Sequence, residues 1–300
     1  HAHIDHSGRL PLLVRRGFKG PIHTQAATAD LLDIMLQDAA SLAEMDADRD
    51  NRHQRAGRTD HAPLFTRADA TQVMKQVRGH DYGAAIEILP GITLTLRDAG
   101  HILGSASVEL RAGHDASVRT LVFSGDIGPK GTPILRDPAP VPRADLVLME
   151  STYGGRRHRD RAETIVELGQ IFEKAHRDGG NVLIPAFAVG RSQELLYWFA
   201  RHSDAWKLSQ WQIFLDSPMA TKVVSVYDRH EELFDEDARR VWRGRPHPFR
   251  LPNLHFTADV AASQGINRLR GGAIIIAGSG MCNGGRIRHH LQHNLGSARN

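Results

Sequence analysis

Three imidazoles and one carboxylate stand within six residues in His1-Ala2-His3-Ile4-Asp5-His6. Imidazole suits zinc and other borderline divalent ions, and a carboxylate completes such a site or orients a water. On an extended strand His1, His3 and Asp5 would share one face and His6 the other. The pattern therefore predicts an irregular loop able to serve two metals, one on each side. A tag remnant would be a run of histidines without the aspartate. An amino-terminal copper site of the kind found in secreted oxygenases would come with a β-rich, disulfide-bonded chain. This sequence has one cysteine, Cys282, and long helical patterns.

Composition bounds the remainder. The 300 residues suggest about two domains, and 41% hydrophobic content suffices for real cores. No apolar run approaches the roughly 20 residues of a membrane span. A lone cysteine excludes an internal disulfide framework and suits a reducing cytoplasm. Net charge is +4 with a pI near 9.4, which is compatible with a polyanionic partner and mild support for nucleic acid.

The elements alternate. Thr28 caps an expected helix to about Met45, with Leu31, Met35, Ala39 and Leu42 on one face. The charged stretch from Asp46 to His61 reads as an exposed loop. Thr66 with Asp69 marks a helix start, and Val73, Met74 and Val77 its inner face. Ile92, Leu94 and Leu96 alternate with threonines as a half-buried strand, continued by Val108 and Leu110. Leu121-Val122-Phe123 and Leu146-Val147-Leu148-Met149 are short apolar strands ending in polar residues, where α/β proteins place their sites. Two glycine-bearing motifs follow such strands: Asp98-Ala99-Gly100-His101 and Ser124-Gly125-Asp126-Ile127-Gly128. The remaining histidines His23, His53, His61 and His80 are expected to be exposed, and His114 to sit in a turn.

HxHxDH followed by GH and GD in this order resembles the metallo-β-lactamase superfamily. The resemblance implies an αββα sandwich. It assigns His1, His3 and His101 to one metal, Asp5 and His6 to a second, and Asp126 to both. Such a pair lowers the pKa of a shared water and clamps the oxygens of an in-line displacement, with Asp5 placed to orient the water. The metals alone do not choose among lactams, thioesters and phosphodiesters. In that superfamily a buried strand leads into the first loop, so the resemblance implies strands before His1.

Later segments narrow the choice. Glu150-Ser151-Thr152-Tyr153-Gly154 resembles motif A of the β-CASP branch, the nucleases typified by ribonuclease J and the mRNA 3′-end cleavage subunit. Pro185-Ala186-Phe187-Ala188-Val189-Gly190-Arg191-Ser192-Gln193-Glu194-Leu195-Leu196 resembles that branch's PAFAxGRxQELL. Asp216-Ser217-Pro218-Met219-Ala220, Gly278-Ser279-Gly280-Met281 and Gly284-Gly285-Arg286 match further signatures. The resemblance implies α/β architecture in two incomplete parts, a metallo-β-lactamase domain over 1–157 and a β-CASP domain over 158–300. The second would be a parallel layer on strands near Asn181, Trp211 and Ala273. It further implies a cytoplasmic, zinc-dependent ribonuclease with two zinc ions per chain, acting on single-stranded RNA as endonuclease or 5′-exonuclease, and a homodimer as one form of it. Asp5, Asp126 and Glu150 carry the catalytic roles. The family's motif B and C histidines are absent before Asn300, so the chain as it stands is expected to hold metal incompletely and to cut poorly. The alternatives are a DNA nuclease or thioesterase on the same metals, or a non-catalytic RNA-processing subunit.

For RNA contact, a helix starting near Gly190 would offer N–H groups and a positive dipole end to a phosphate. Arg191 would fork onto a phosphodiester, and Phe187 would stack on a base. The bland readings are an Arg191–Glu194 pair and a core Phe. Ser279, Gly280 and Arg286 sit at a second strand-to-helix junction and complete the expected RNA-binding set. His289, His290 and His293 nearby read as a helix surface.

Overall fold

The computed structural model describes residues 1–53, 61–114, 117–141 and 143–300, without the side chain of His53. It is an α/β protein in two compact units, His1–Glu150 and Ser151–Asn300. The division falls inside the ESTYG segment, earlier than residue 157.

In the first unit, helices α1 (Ile4–Ser7) and α2 (Leu10–Arg15) precede β1 (Ile22–Gln25), α3 (Ala26–His53), α4 (Arg67–Gln76) and β2 (Val77–His80). β1 and β2 pair in parallel. A five-stranded sheet follows: β3 (Ala85–Leu89), β4 (Ile92–Asp98), β5 (Ala106–Ala112), β6 (Arg119–Phe123) and β7 (Leu146–Leu148), in that spatial order. Its pairings are antiparallel except β6–β7, which is parallel.

Helix α3 departs from expectation at both ends. It starts two residues before Thr28, because Gln25 Oε1 accepts the backbone N–H of Ala27 at 2.6 Å and so supplies the cap. Thr28 Oγ1 instead donates to Gly104 O at 2.6 Å, tying the helix to the loop that carries His101. The helix also runs through the charged stretch to His53. Its polar residues face solvent and pair along the helix, as Arg49 does with Asp46 at 2.9 Å. The rest of the expected loop, residues 54–60, lies outside the described residues. The buried face is Leu31, Leu32, Met35, Leu36 and Ala40, while Leu42 is exposed. The α4 start is a capping box: Thr66 Oγ1 accepts from Asp69 N, and Asp69 Oδ2 accepts from Thr66 N at 2.8 Å.

The second unit alternates helices and strands, except that α7 and α8 follow one another. α5 (Arg161–Asp178), β8 (Val182–Pro185), α6 (Arg191–Arg201), β9 (Gln212–Asp216), α7 (Pro218–Arg229), α8 (Glu236–Arg243), β10 (Leu254–Phe256), α9 (Val260–Ile266), β11 (Ala273–Ala277) and α10 (Gly285–Asn294) follow in chain order. The sheet order is β10-β9-β11-β8, parallel throughout. β10 is a fourth strand beyond the three expected; at three residues it is too short to leave a pattern in sequence. Every residue of β11, Ala-Ile-Ile-Ile-Ala, is buried, as a central parallel strand covered on both faces must be. Ile266 of α9 and Ile287 of α10 pack on the Ala273, Ile275 and Ala277 face.

Candidate metal centre

The HxHxDH segment folds not as an irregular loop but into a helical turn. His3 is the N-cap of α1, whose single turn carries Asp5 and His6. Ser7 Oγ closes the turn by donating to Ala2 O at 3.1 Å and His3 O at 3.0 Å. Ala2 is fully buried and anchors the segment. The extended residues thus send His1 and His3 one way, and the turn brings Asp5 and His6 round beside them.

Two loops at strand ends complete the cluster. After β4, Ser105 Oγ accepts the His101 N–H at 3.0 Å and fixes the bend. After β6, Asp126 sits on a loop held by Glu150, whose Oε1 accepts the Ile127 N–H at 2.8 Å. Glu150 N in turn donates to Ser124 Oγ at 3.0 Å. The loops meet at Gly128, whose N–H donates to Ala99 O at 2.8 Å. A Cβ at Gly128 would lie 1.7 Å from Gly100 O, so only glycine permits this approach.

One ligand atom each from His1, His3, His101 and Asp126 lies within 4.8 Å of the others, and a second such group is His1, Asp5 and His6. Asp126 Oδ2 is 3.6 Å from His1 Nε2 and 3.5 Å from His101 Nε2. Its other oxygen, Oδ1, is 3.3 Å from His6 Nε2, and Asp5 Oδ2 is 3.5 Å from the same nitrogen. Ligands 2.0–2.2 Å from a tetrahedral zinc stand roughly 3.4 Å apart, so these separations match the edges of such a site. The His101 Nε2 is buried with no hydrogen-bond partner, a costly state that a bound cation relieves. Burial lowers the His101 pKa, against the opposing pull of Asp126 and Glu150, which favours the neutral, ligating form. The donor set fits a borderline divalent metal. Asp5 and His6 are exposed, so the second group opens to solvent.

Asp98 lies just outside this cluster, and its side chain was not singled out from sequence. Burial pushes its carboxyl up to about 6, against a hydrogen bond from Gly100 N, the charge of Arg136 and the neighbouring Tyr82 hydroxyl. Tyr82 Oη donates its one hydrogen to Ser105 O at 2.7 Å. No local spacing announces this network, since Tyr82 and Ser105 meet only across the sheet.

The expected RNA residues of the second unit divide. Phe187 is 51% exposed, and its ring edge would lie 3.0 Å from a Cβ at Gly280. The two junctions therefore adjoin, as the β8–β11 pairing requires. Ser279 Oγ bonds Asn283 Oδ1 at 2.8 Å within its loop. Arg191 is exposed and ion-paired to Glu194 at 2.6 Å. Arg286 is turned inward instead: Nη1 donates to Asp216 Oδ1 at 2.6 Å, and Asp216 is wholly buried. His290 is likewise no surface residue. It is fully buried with Nε2 2.6 Å from Asp216 Oδ2 and Nδ1 2.7 Å from Asn267 Oδ1, whereas His289 and His293 are exposed. A buried carboxylate needs its charge met, and that need draws in the Arg286 guanidinium and the His290 ring. His23 and His80 are also not exposed but half-buried, stacked, with ring nitrogens 2.9 Å apart. His61 and His114 are exposed.

Residues 192–300 match the family model described as the Beta-Casp domain. The whole chain is 41% identical to the protein named ribonuclease TTHA0252 of Thermus thermophilus, covering 64% of that protein. It is 34% identical over 290 residues to the transcription termination factor FttA of Pyrococcus abyssi, and 34% identical over 292 residues to that of Thermococcus kodakarensis, covering 42% of each. The chain thus spans less than two thirds of the length of these relatives. The greater part of the second unit, residues 192–300, thus matches a β-CASP domain, and the chain is similar along its whole length to a protein named a ribonuclease. Among the described residues, no helix is long and apolar enough to cross a membrane.

Proposed function

We propose that the whole protein is a zinc-dependent ribonuclease that hydrolyses phosphodiester bonds of single-stranded RNA, with two zinc ions per chain. The observation that carries this reading is the divided carboxylate of Asp126, with Oδ2 facing His1 and His101 and Oδ1 facing His6. A bound divalent pair would supply Lewis acidity to a water and to a phosphodiester oxygen. His1, His3 and His101 would hold one ion, Asp5 and His6 the other, and Asp126 would span them.

Around that pair the chain's own groups have separate tasks. Asp5 Oδ2, exposed and 3.5 Å from His6 Nε2, is placed to accept a proton from the attacking water. Glu150 fixes the Asp126 loop through the Ile127 N–H. In the β-CASP domain, Phe187 against Gly280 offers a stacking face, and the Arg191 end of α6 and the Ser279 loop offer donors to phosphates.

The 41% identity to a protein named a ribonuclease favours this reading over a thioesterase or DNA nuclease. The paired ligand groups favour it over a non-catalytic subunit. A reducing, cytoplasmic setting accords with an exposed lone Cys282. A homodimer is the assembly proposed with it, to be read by analytical ultracentrifugation. The activity test is cleavage of a labelled single-stranded RNA with and without chelator and zinc. Cleavage restored by zinc is expected; hydrolysis of a thioester but not RNA would overturn the proposal.

A further inference from the structure

The segment just after Glu150 carries a feature that the metal centre does not use. From Ser151 to Arg161 it holds four arginines against one aspartate, with His158 between them. Residues 151–160 are all exposed. Arg159 is ion-paired with Glu167, but Arg156 and Arg157 have no ion pair among the described residues. Arg156 and Arg157 are adjacent in sequence and both exposed, so their like charges raise the local positive potential, which a polyanion relieves.

An aromatic face stands beside these charges. Tyr153 is 55% exposed, and its ring centroid lies 4.4 Å from that of His158. Arg156 N donates to Tyr153 O at 3.0 Å, so a turn holds the ring and the basic run together. Gly155 has no atom within 4 Å of where its Cβ would be, which leaves the backbone room to follow a ligand. Charge alone would suit any polyanion. An exposed aromatic ring, tilted against His158 and joined by a turn to two arginines without an ion pair among the described residues, suits one whose charges alternate with planar bases.

Resting on the ribonuclease reading above, we propose that Tyr153, Arg156 and Arg157 form a contact surface for single-stranded nucleic acid, with the arginines on successive phosphates and Tyr153 stacked on a base. The surface is distinct from Phe187, Arg191 and the Ser279 loop, and it begins three residues after Glu150 in the chain.

The test is fluorescence anisotropy of the whole protein with a labelled, 2′-O-methylated 15-nucleotide RNA that resists cleavage, titrated at several salt concentrations. Arg156→Gln/Arg157→Gln should weaken binding and reduce the slope of log affinity against log salt by about 1.4, roughly 0.7 per lost phosphate contact. Tyr153→Ala should cost about tenfold with the slope unchanged, and Tyr153→Phe should restore binding. All three positions are exposed, so the fold is not at risk, and circular dichroism melting checks it. Zinc content and hydrolysis of bis(p-nitrophenyl) phosphate, measured alongside, should not change. Those controls report the nuclease reading separately: a wild type that binds RNA through these residues yet hydrolyses no phosphodiester defeats that reading and leaves the surface standing. An unchanged salt slope in the double variant overturns the surface. So does competition by polyglutamate as effective as that by RNA of equal charge, which would mark a docking site for acidic protein instead.

Discussion

Asp216 and His290 meet 2.6 Å apart with neither side chain accessible to solvent. Burial alone would raise the Asp216 carboxyl. Hydrogen bonds from His290, Ser263, Thr257 and Arg286 outweigh burial and hold it well below the usual carboxylate range. One carboxylate thereby binds β9 to α9, to α10 and to the Thr257 loop. Asp216→Ala should cost about 3–5 kcal/mol, because it leaves the Arg286 guanidinium and the His290, Ser263 and Thr257 side chains without their shared partner. Urea unfolding followed by tryptophan fluorescence measures this, Trp211 lying one residue before β9. The depressed carboxyl also sets a sign. Its contribution is present above the ordinary value near 3.8 and is lost as pH falls below it. An Asp216→Ala protein unfolding at the wild-type midpoint would contradict the assignment.

Gly128→Ala should open the metal centre without touching a ligand. The added methyl would collide with Gly100 O and force apart the loops that carry His101 and Asp126. Zinc affinity should fall by at least tenfold, while the β-CASP domain, a separate compact unit, keeps its stability. Isothermal titration with zinc reads the first quantity and thermal melting the second. Unchanged zinc affinity would mean that the two loops do not depend on this approach.

Asp98 provides a pH signature. Its folded pKa of about 6 lies above the ordinary 3.8. The native state therefore holds a proton that the unfolded chain releases. The associated stability is fully present below about pH 4 and is lost as pH rises to about 6. Against Asp98→Asn, metal-free wild type should lose about 2–3 kcal/mol of relative stability across that window. Urea midpoints of both proteins at pH 4, 5, 6 and 7 give the comparison. Parallel curves would show that Asp98 titrates as an ordinary carboxylate.

Arg191→Ala should change stability by less than about 1 kcal/mol, since its pair with Glu194 is exposed. It should nevertheless lower the salt slope of RNA binding by roughly 0.7 and leave zinc content unchanged. A wild-type slope would confine Arg191 to its ion pair.

What could be read from sequence follows from the range of each interaction. The residues that cluster here lie on compact motifs, so HxHxDH, His101 and Asp126 stand out as candidate ligands by residue type and spacing. The capping box at Thr66 and the buried run of β11 were equally local. Arg286 and His290 were misplaced because their partner Asp216 lies 70 and 74 residues away. Nothing near α10 in sequence signals a buried carboxylate. The length of α3 is hidden locally because an exposed helix tolerates a charged surface that resembles a loop in sequence. Its cap was missed because Gln25, not the more usual Thr28, supplies the acceptor.

The most direct test concerns Asp126. Zinc content by mass spectrometry and cleavage of single-stranded RNA are to be measured together on wild type and on Asp126→Ala in the whole protein at saturating zinc. The account predicts about two zinc ions per wild-type chain, loss of at least one in the variant, and a fall in cleavage of a hundredfold or more with melting preserved. Two zinc ions retained, or cleavage above a tenth of wild type, would contradict the bridging role on which the proposed function rests.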